Sequence, residues 1–246
     1  PEPWRADGPG SARRHSWVFG DGNEGRGDST SHAFGKPGRY DLVLYADDGK
    51  GLANSRGHTT RVVHVNQPPV AVAGPDMLVC PGSTVRFDGS RSGDVDGTLT
   101  RHAWDFGDGN SGDGETVEHV FEKPGTYTVW LTVTDDAGAA CSTGEDEMTV
   151  VVNAPPRPDA GGDREVWIGG ANDAVLLDGS GSTDPDGEAL SFDWEIGTGS
   201  LQLGERVRHT FTEPGDVPVR LTVSDTSGLA CGTAVDTITI KARRRN

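Results

Sequence analysis

Two short runs of this sequence carry carboxylates at a spacing suited to a hard cation: Asp94-Val95-Asp96-Gly97 and Asp184-Pro185-Asp186-Gly187. Two further aspartates, Asp135 and Asp225, each stand three residues ahead of a glycine, Gly138 and Gly228. Asn66 and Asn153 each open an Asn-x-Pro-Pro run. Ca2+ takes six to eight oxygen ligands, drawn from carboxylates, amide and backbone carbonyls and water. Asn66, Asp94, Asp96 and Asp135 are therefore candidate ligands of one site, and Asn153, Asp184, Asp186 and Asp225 of a second, provided the fold gathers them. The alternative needs no metal: Asp-x-Asp-Gly is also the composition of an Asx-turn loop.

Other chemistry is poorly provided for. There is no His-Glu-x-x-His zinc motif, no Gly-x-Ser-x-Gly elbow and no phosphate-binding glycine loop ahead of a helix. Paired carboxylates for glycosidase work would also need a cleft to hold the substrate. The expectation is a protein without an activity of its own.

The elements that must position these residues come from a repeat, which fixes the architecture before any local reading. Trp104-Asp105-Phe106-Gly107-Asp108-Gly109 recurs as Trp17-Val18-Phe19-Gly20-Asp21-Gly22 and, altered, as Trp194-Glu195-Ile196-Gly197-Thr198-Gly199. Alternating apolar and polar residues running into Gly-Asp-Gly describe a strand that ends in a tight turn. The third copy has Thr198 in place of the aspartate, so the role shared by all three is the turn. Fifteen residues after each Trp stands a histidine (His32, His119, His209) in a His-x-Phe pair. One equivalent histidine per module is an architectural pattern, not a catalytic one. Pro-Gly turns follow at Pro37-Gly38, Pro124-Gly125 and Pro214-Gly215, and then an alternating strand, clearest in Tyr127 to Thr134. That alternation buries Tyr127, Val129, Leu131 and Val133 and turns Trp130 outward. An outward Trp is a candidate binding residue for sugar or a partner protein; cover by a neighbouring loop is the alternative. Trp17, Trp104 and Trp194 are core by register.

Taken together, Trp-Asp-Phe-Gly-Asp-Gly, His-x-Phe, Pro-Gly-x-Tyr and Leu-Thr-Val-x-Asp resemble PKD domains, the Ig-like β-sandwich modules named for polycystic kidney disease, as found in bacterial-type secreted or cell-surface proteins. The resemblance covers nearly the whole chain. Repeat three departs from it at Glu195 to Gly199 and at Val217, where the pattern has Tyr. The fold it implies is all-β, three tandem Ig-like β-sandwich modules, and no helical periodicity in the chain competes with that. Strands that alternate ends of such a sandwich bring the Asp94/Asp96 loop, Asp135 and the linker with Asn66 to one pole, at the module junction. The same logic gathers Asn153, Asp184, Asp186 and Asp225. Calcium binding at a similar place in PKD-type modules of some secreted proteases supports Ca2+ as the ligand.

The expected modules are residues 1–66, 67–153 and 154–246, joined by Asn-x-Pro-Pro linkers. Tandem prolines make stiff, extended spacers, so the expected assembly is a semi-rigid rod. The formal charge of −16 argues against nucleic acid and anionic membrane as partners, and no stretch approaches a transmembrane length. The chain opens at Pro1 with no signal peptide in view, which reads as a fragment or mature form of an extracellular, secreted or cell-surface protein. The basic tail Lys241 to Arg245 reads as a solvated end.

Three cysteines leave the pairing open. Cys80 and Cys141 are the only two in one module, but the strand order sets them near opposite poles, farther apart than a disulfide spans. Cys231 has no partner in its own module, and repeat one has Asn54 at that position.

The first module is incomplete at its N-terminus. Only 16 residues precede Trp17, and none forms a Val-x-Phe-Asp-Gly-Ser block like Val85 to Ser90. Three readings follow: a truncated module with a frayed edge, cover by the segment around Trp4, or a strand donated by another chain, which would link subunits into a filament. Two functional classes result. One is a calcium-stiffened rod for surface display, adhesion or assembly, contacting protein or carbohydrate at the cell surface. The other is an accessory spacer or substrate-binding part of a secreted hydrolase.

Overall fold

A computed structural model describes residues 14–52, 55–170 and 173–245. The expectations at Trp4, Pro1 to Gly10 and Asn54 lie outside these described residues. The chain is all-β, and its only helical element among the described residues is one 3-10 turn, Ala230–Gly232. It divides into two compact units that cut across the sequence repeats. Of the described residues, the first holds those up to 72 with 90–102 and 132–145; the second holds 73–89, 103–131 and those from 146 onward.

Repeat one contributes β1 (Arg14–Val18), β2 (Glu24–Arg26), β3 (Gly38–Asp47) and β4 (Arg56–Val65). They form one sheet in the order β2-β1-β3-β4. Repeat two contributes β5 (Met77–Val79), β6 (Thr84–Asp88), β7 (Leu99–Asp105), β8 (Ser111–Asp113), β9 (Thr116–Val120), β10 (Gly125–Asp135) and β11 (Thr143–Val152). Its larger sheet runs β5-β11-β10-β7-β8 and its smaller one is β6-β9. Repeat three repeats this plan with β12 (Arg164–Ile168), β13 (Ala174–Asp178), β14 (Ser191–Ile196), β15 (Ser200–Leu203), β16 (Arg206–Thr210), β17 (Gly215–Ser224) and β18 (Thr233–Arg244). The order is β12-β18-β17-β14-β15 opposite β13-β16. In both complete modules the first strand pairs parallel to the last: β5 with β11 and β12 with β18.

The Gly-Asp-Gly segments turn because their glycines take positive φ: 73° and 94° at Gly107 and Gly109. A Cβ on Gly107 would stand 2.5 Å from the Thr128 carbonyl oxygen, so the strand packs too closely for a side chain there. Gly197 and Gly199 keep positive φ as well, so the altered third copy still makes the turn.

Each tryptophan is tied down by its indole. Nε1 donates to the carbonyl of the glycine ten residues on: Trp17 to Gly27 (3.0 Å), Trp104 to Gly114 (3.1 Å) and Trp194 to Gly204 (3.0 Å). Trp104 and Trp194 are buried, at 1% and 0% exposure, and they centre cores that include Phe87, Phe121 and Leu131, and Leu177, Leu221 and Ile240. Trp17 departs from its expected core role and stays partly exposed. Phe19 is the one apolar side chain of repeat one in the buried core among the described residues. The reason is that no counterpart of the β6-β9 sheet lies opposite β1 and β3 among those residues.

The cysteines resolve a pairing that the sequence left open, and the separation of Cys80 from Cys141 is as the strand order implied. Cys80 and Cys141 are not bonded; Cys80 is bonded to Cys231, with Cα atoms 5.8 Å apart and 151 residues between them in sequence. Cys80 follows β5 and Cys231 lies in the 3-10 turn, so the bond ties repeat two to repeat three inside the second unit. Cys141 is free and exposed.

Candidate metal centres at the linkers

The linker after β4 meets two loops of repeat two, all within the first unit. Asn66 Nδ2 donates to Asp135 Oδ2 at 2.7 Å, and the Gln67 N–H reaches both carboxylate oxygens of Asp96 at 3.3 and 3.2 Å. Asp94 turns its own loop: its Oδ1 accepts from the N–H groups of Asp96 (2.9 Å) and Gly97 (3.0 Å). Its Oδ2 is buried with no hydrogen-bond partner. All four expected residues are therefore brought together. The Asx turn and the convergence at the pole coexist, because one oxygen of Asp94 makes the turn and the other faces inward.

The linker after β11 builds the same arrangement in the second unit. Asn153 Nδ2 donates to Asp225 Oδ2 at 2.9 Å, and the Ala154 N–H to Asp186 Oδ2 at 2.6 Å. Asp184 Oδ1 accepts from Asp186 N at 2.8 Å. Asp184 Oδ2 is again buried and unpartnered. The duplication has a local cause: each aspartate ends or follows an equivalent strand of its repeat, so the turn chemistry of both repeats delivers the same residue types to the same pole.

The electrostatics agree in both. The hydrogen bond from Asn66, working with the Ala137 N–H against burial, holds the Asp135 carboxyl below the usual carboxylate range. Burial opposes the charge of Asp225, and hydrogen bonds from Ser227 and Asn153 overcome it and hold its carboxyl low too. Both aspartates are thus kept ionised. Asp135 is 4% exposed and Asn153 1%. An unpaired oxygen in such a place is costly unless something supplies a proton or a cation. The carboxylate oxygens of Asp94, Asp96 and Asp135, and of Asp184, Asp186 and Asp225, are of the type that hard cations take. Among the described residues no group of three or more His, Cys, Asp or Glu is spaced to hold a metal ion. Several of the oxygens are occupied by N–H donors, and each asparagine presents its NH2 to a carboxylate.

Trp130 is 42% exposed on the outward side of β10, as expected. Trp167, on the edge strand β12, is more exposed still at 54%; no periodicity singled it out, because β12 alternates too briefly to show a face.

A family model described as "PKD domain" matches residues 5–63, 66–150 and 153–240. Among curated proteins, the dyslexia-associated protein KIAA0319-like protein of Mus musculus is 33% identical over 227 residues, covering 85% of this chain and 20% of the relative. Collagenase ColA of Clostridium perfringens is 39% identical over 97 residues, covering 39% of this chain and 9% of the relative. The chain thus spans about a fifth or less of these relatives. Among solved structures, the PKD1 domain of Vibrio anguillarum Epp is 39% identical and covers 35% of this chain and 95% of that one, at a TM-score of 0.30.

Proposed function

Because the chain belongs to the PKD domain family, we propose that it is a non-catalytic, extracellular structural and interaction protein whose inter-module linkers are stiffened by calcium. The family occurs both in secreted bacterial enzymes, such as collagenase ColA and the pre-pro-metalloprotease PrtV of Vibrio cholerae, and in KIAA0319-type proteins, so neither setting is required by the family alone. The observation that carries the reading is the buried, unpartnered carboxylate oxygen repeated at Asp94 and Asp184 beside an Asn–Asp pair. At the first linker the ion would be held by Asp94, Asp96 and Asp135 and by the Asn66 side-chain carbonyl, turned in place of its NH2; at the second, by Asp184, Asp186, Asp225 and Asn153. A bound Ca2+ would supply the positive charge these carboxylates lack and clamp the linker to the module it enters. The exposed Trp130 is the surface we assign to contact with protein or carbohydrate.

A ligand that binds only the folded state stabilises it by mass action, by about 2.7 kcal/mol at a hundredfold excess over Kd. Millimolar calcium should therefore raise the melting temperature over an EDTA-treated sample, and Asp94→Asn with Asp184→Asn should remove the response. Equal melting curves in calcium and EDTA would refute the reading.

A further inference from the structure

Repeat one differs from the other two in its charge and in one face of its sheet. Residues 1–66 hold nine Lys and Arg against eight Asp and Glu, so the acid excess of the chain lies wholly in residues 67–246. Residues paired directly across strands share a face. On the face opposite Trp17, Arg26 of β2 and Tyr45 of β3 both pair with Ser16 of β1. In the next row Arg14 and Arg56 both pair with Asp47. Neighbouring strands lie about 4.8 Å apart, so Arg26 and Tyr45 stand roughly 10 Å from each other with the small Ser16 between them. These residues line a groove of about 630 Å³. Ser16 is its floor, Arg26 and Tyr45 its sides, and the Arg14, Asp47 and Arg56 row closes one end.

Tyr45 is 44% exposed. Its ring lies 5.8 Å from that of His58 on β4, the strand on the side away from Ser16. The two carboxylates that line the groove are engaged. Asp47 accepts from Arg56 Nε at 3.0 Å and from the Gly49 N–H at 2.8 Å, and Asp28 lies 2.7 Å from His15 Nδ1. The Arg26 guanidinium has no carboxylate partner among the described residues. This combination belongs to repeat one. At the same offset from each Trp, the Arg26 position holds Asp113 and Leu203, and the Tyr45 position holds Thr132 and Thr222.

We propose that this groove binds a glycan through a carboxylate-bearing sugar, with the pyranose ring on the face of Tyr45 and the carboxylate in the fork of Arg26. A planar guanidinium matches a carboxylate through two parallel N–H···O bonds. The phenol beside it offers a flat apolar body with a polar tip. Arg14 adds positive charge at the end of the groove. Charge complementarity selects the ligand, because the groove lies in the one repeat without an acid excess. A nucleic acid would meet the acid excess of residues 67–246. An anionic lipid surface calls for a cluster of about four to eight Lys and Arg, and here Arg56 is tied to Asp47. The site uses neither calcium nor Trp130, so it stands or falls apart from the function proposed above.

The test titrates the full chain with two acidic probes, xylotriose carrying a glucuronic acid and trigalacturonic acid, and follows backbone amide shifts. The methyl esters of both, which keep the rings and lose the charge, are the controls. At least one acid probe should shift the amides of Ser16, Arg26 and Tyr45, in EDTA as in calcium. Its ester should bind at least about tenfold more weakly, the loss expected when hydrogen bonds to a charged group go unmade. Arg26→Gln and Tyr45→Ala, both at exposed positions, should each weaken binding by a similar factor and leave the melting temperature as it was. No shift at these amides with either acid, equal binding of acid and ester, or shifts confined to β10 around Trp130 would each overturn the proposal. So would association of the protein with its own copies that Arg26→Gln abolishes, since the groove would then serve the acidic surface of a second chain.

Discussion

Asp108 shows how much one side chain of the repeat does beyond making a turn. Its Oδ1 accepts from the Asn110 N–H at 2.9 Å, and its Oδ2 lies 2.7 Å from His119 Nε2. The imidazole stacks on Phe106 at 4.1 Å, with the ring planes nearly parallel. Repeat one reproduces this with Asp21, His32 and Phe19. Repeat three has Thr198 instead, and His209 meets Gln202 through Nδ1 at 3.3 Å. The aspartate is a clasp that holds the histidine flat on the core edge, which gives the repeated histidines their architectural role. Burial works against the charge on Asp108, and the hydrogen bonds from His119 and Asn110 overcome it, so its carboxyl is held below the usual range. The same balance of burial, His32 and Asn23 brings Asp21 to about 2. A carboxyl depressed in the fold adds stability that is whole above the ordinary carboxylate value of about 4 and is lost as pH falls through the folded value. Asp108→Asn should therefore cost about 1 kcal/mol at pH 7 and remove part of the decline in stability below pH about 4. Urea denaturation at the two pH values checks it. An unchanged acid profile would mean the clasp is not what titrates.

One contact between elements is kept with its partners exchanged. In repeat two, Thr98 ahead of β7 donates from its N–H and its hydroxyl to Asp136, which follows β10, at 3.2 and 3.0 Å. In repeat three the acid is Glu188 ahead of β14, and Thr226 after β17 donates to it at 2.8 and 2.6 Å. The need is for one donor and one carboxylate joining two loops; which loop carries which is free. Thr98→Glu alone would bring two carboxylates together, and Asp136→Thr alone would leave the Thr98 N–H without its acceptor. Each should lower stability. The double substitution should recover most of that loss, so that the two effects are not additive in a double-mutant cycle. Simple additivity of the two costs would show that the loops do not depend on this contact.

For the molecule as a whole, the Cys80–Cys231 bond makes one covalent assembly of two modules that the linker at Asn153 already joins. Closing a chain segment of that length restricts the unfolded state, and such bonds are worth about 2–4 kcal/mol. Cys231→Ser should lower the denaturation midpoint of repeats two and three by that order. Amide exchange in β3 of repeat one should stay as it was. Loss of protection in β3 as well would mean that repeat one depends on the far bond for its stability.

What the sequence determined by itself was local or repeated. Gly-Asp-Gly with positive φ, the outward Trp130 and the burial of Val129, Leu131 and Val133 follow from backbone sterics and a period of two, which neighbours in sequence are enough to set. Strand alternation then sufficed to bring Asn66 to Asp94, Asp96 and Asp135, because the polarity of each strand follows from the one before it. The tertiary structure alone decided what depends on approach between distant parts. The clasp of Asp108 on His119, the exchanged Thr98–Asp136 and Glu188–Thr226 contacts and the lone buried oxygen of Asp94 turn on rotamers and on which donors arrive first. Cys80 meets Cys231 because β5 lies along β11 and ends where the next module begins. A sulfur bond needs its Cα atoms within about 7 Å, and that closeness comes from the packing of two modules, which a spacing of 151 residues does not encode.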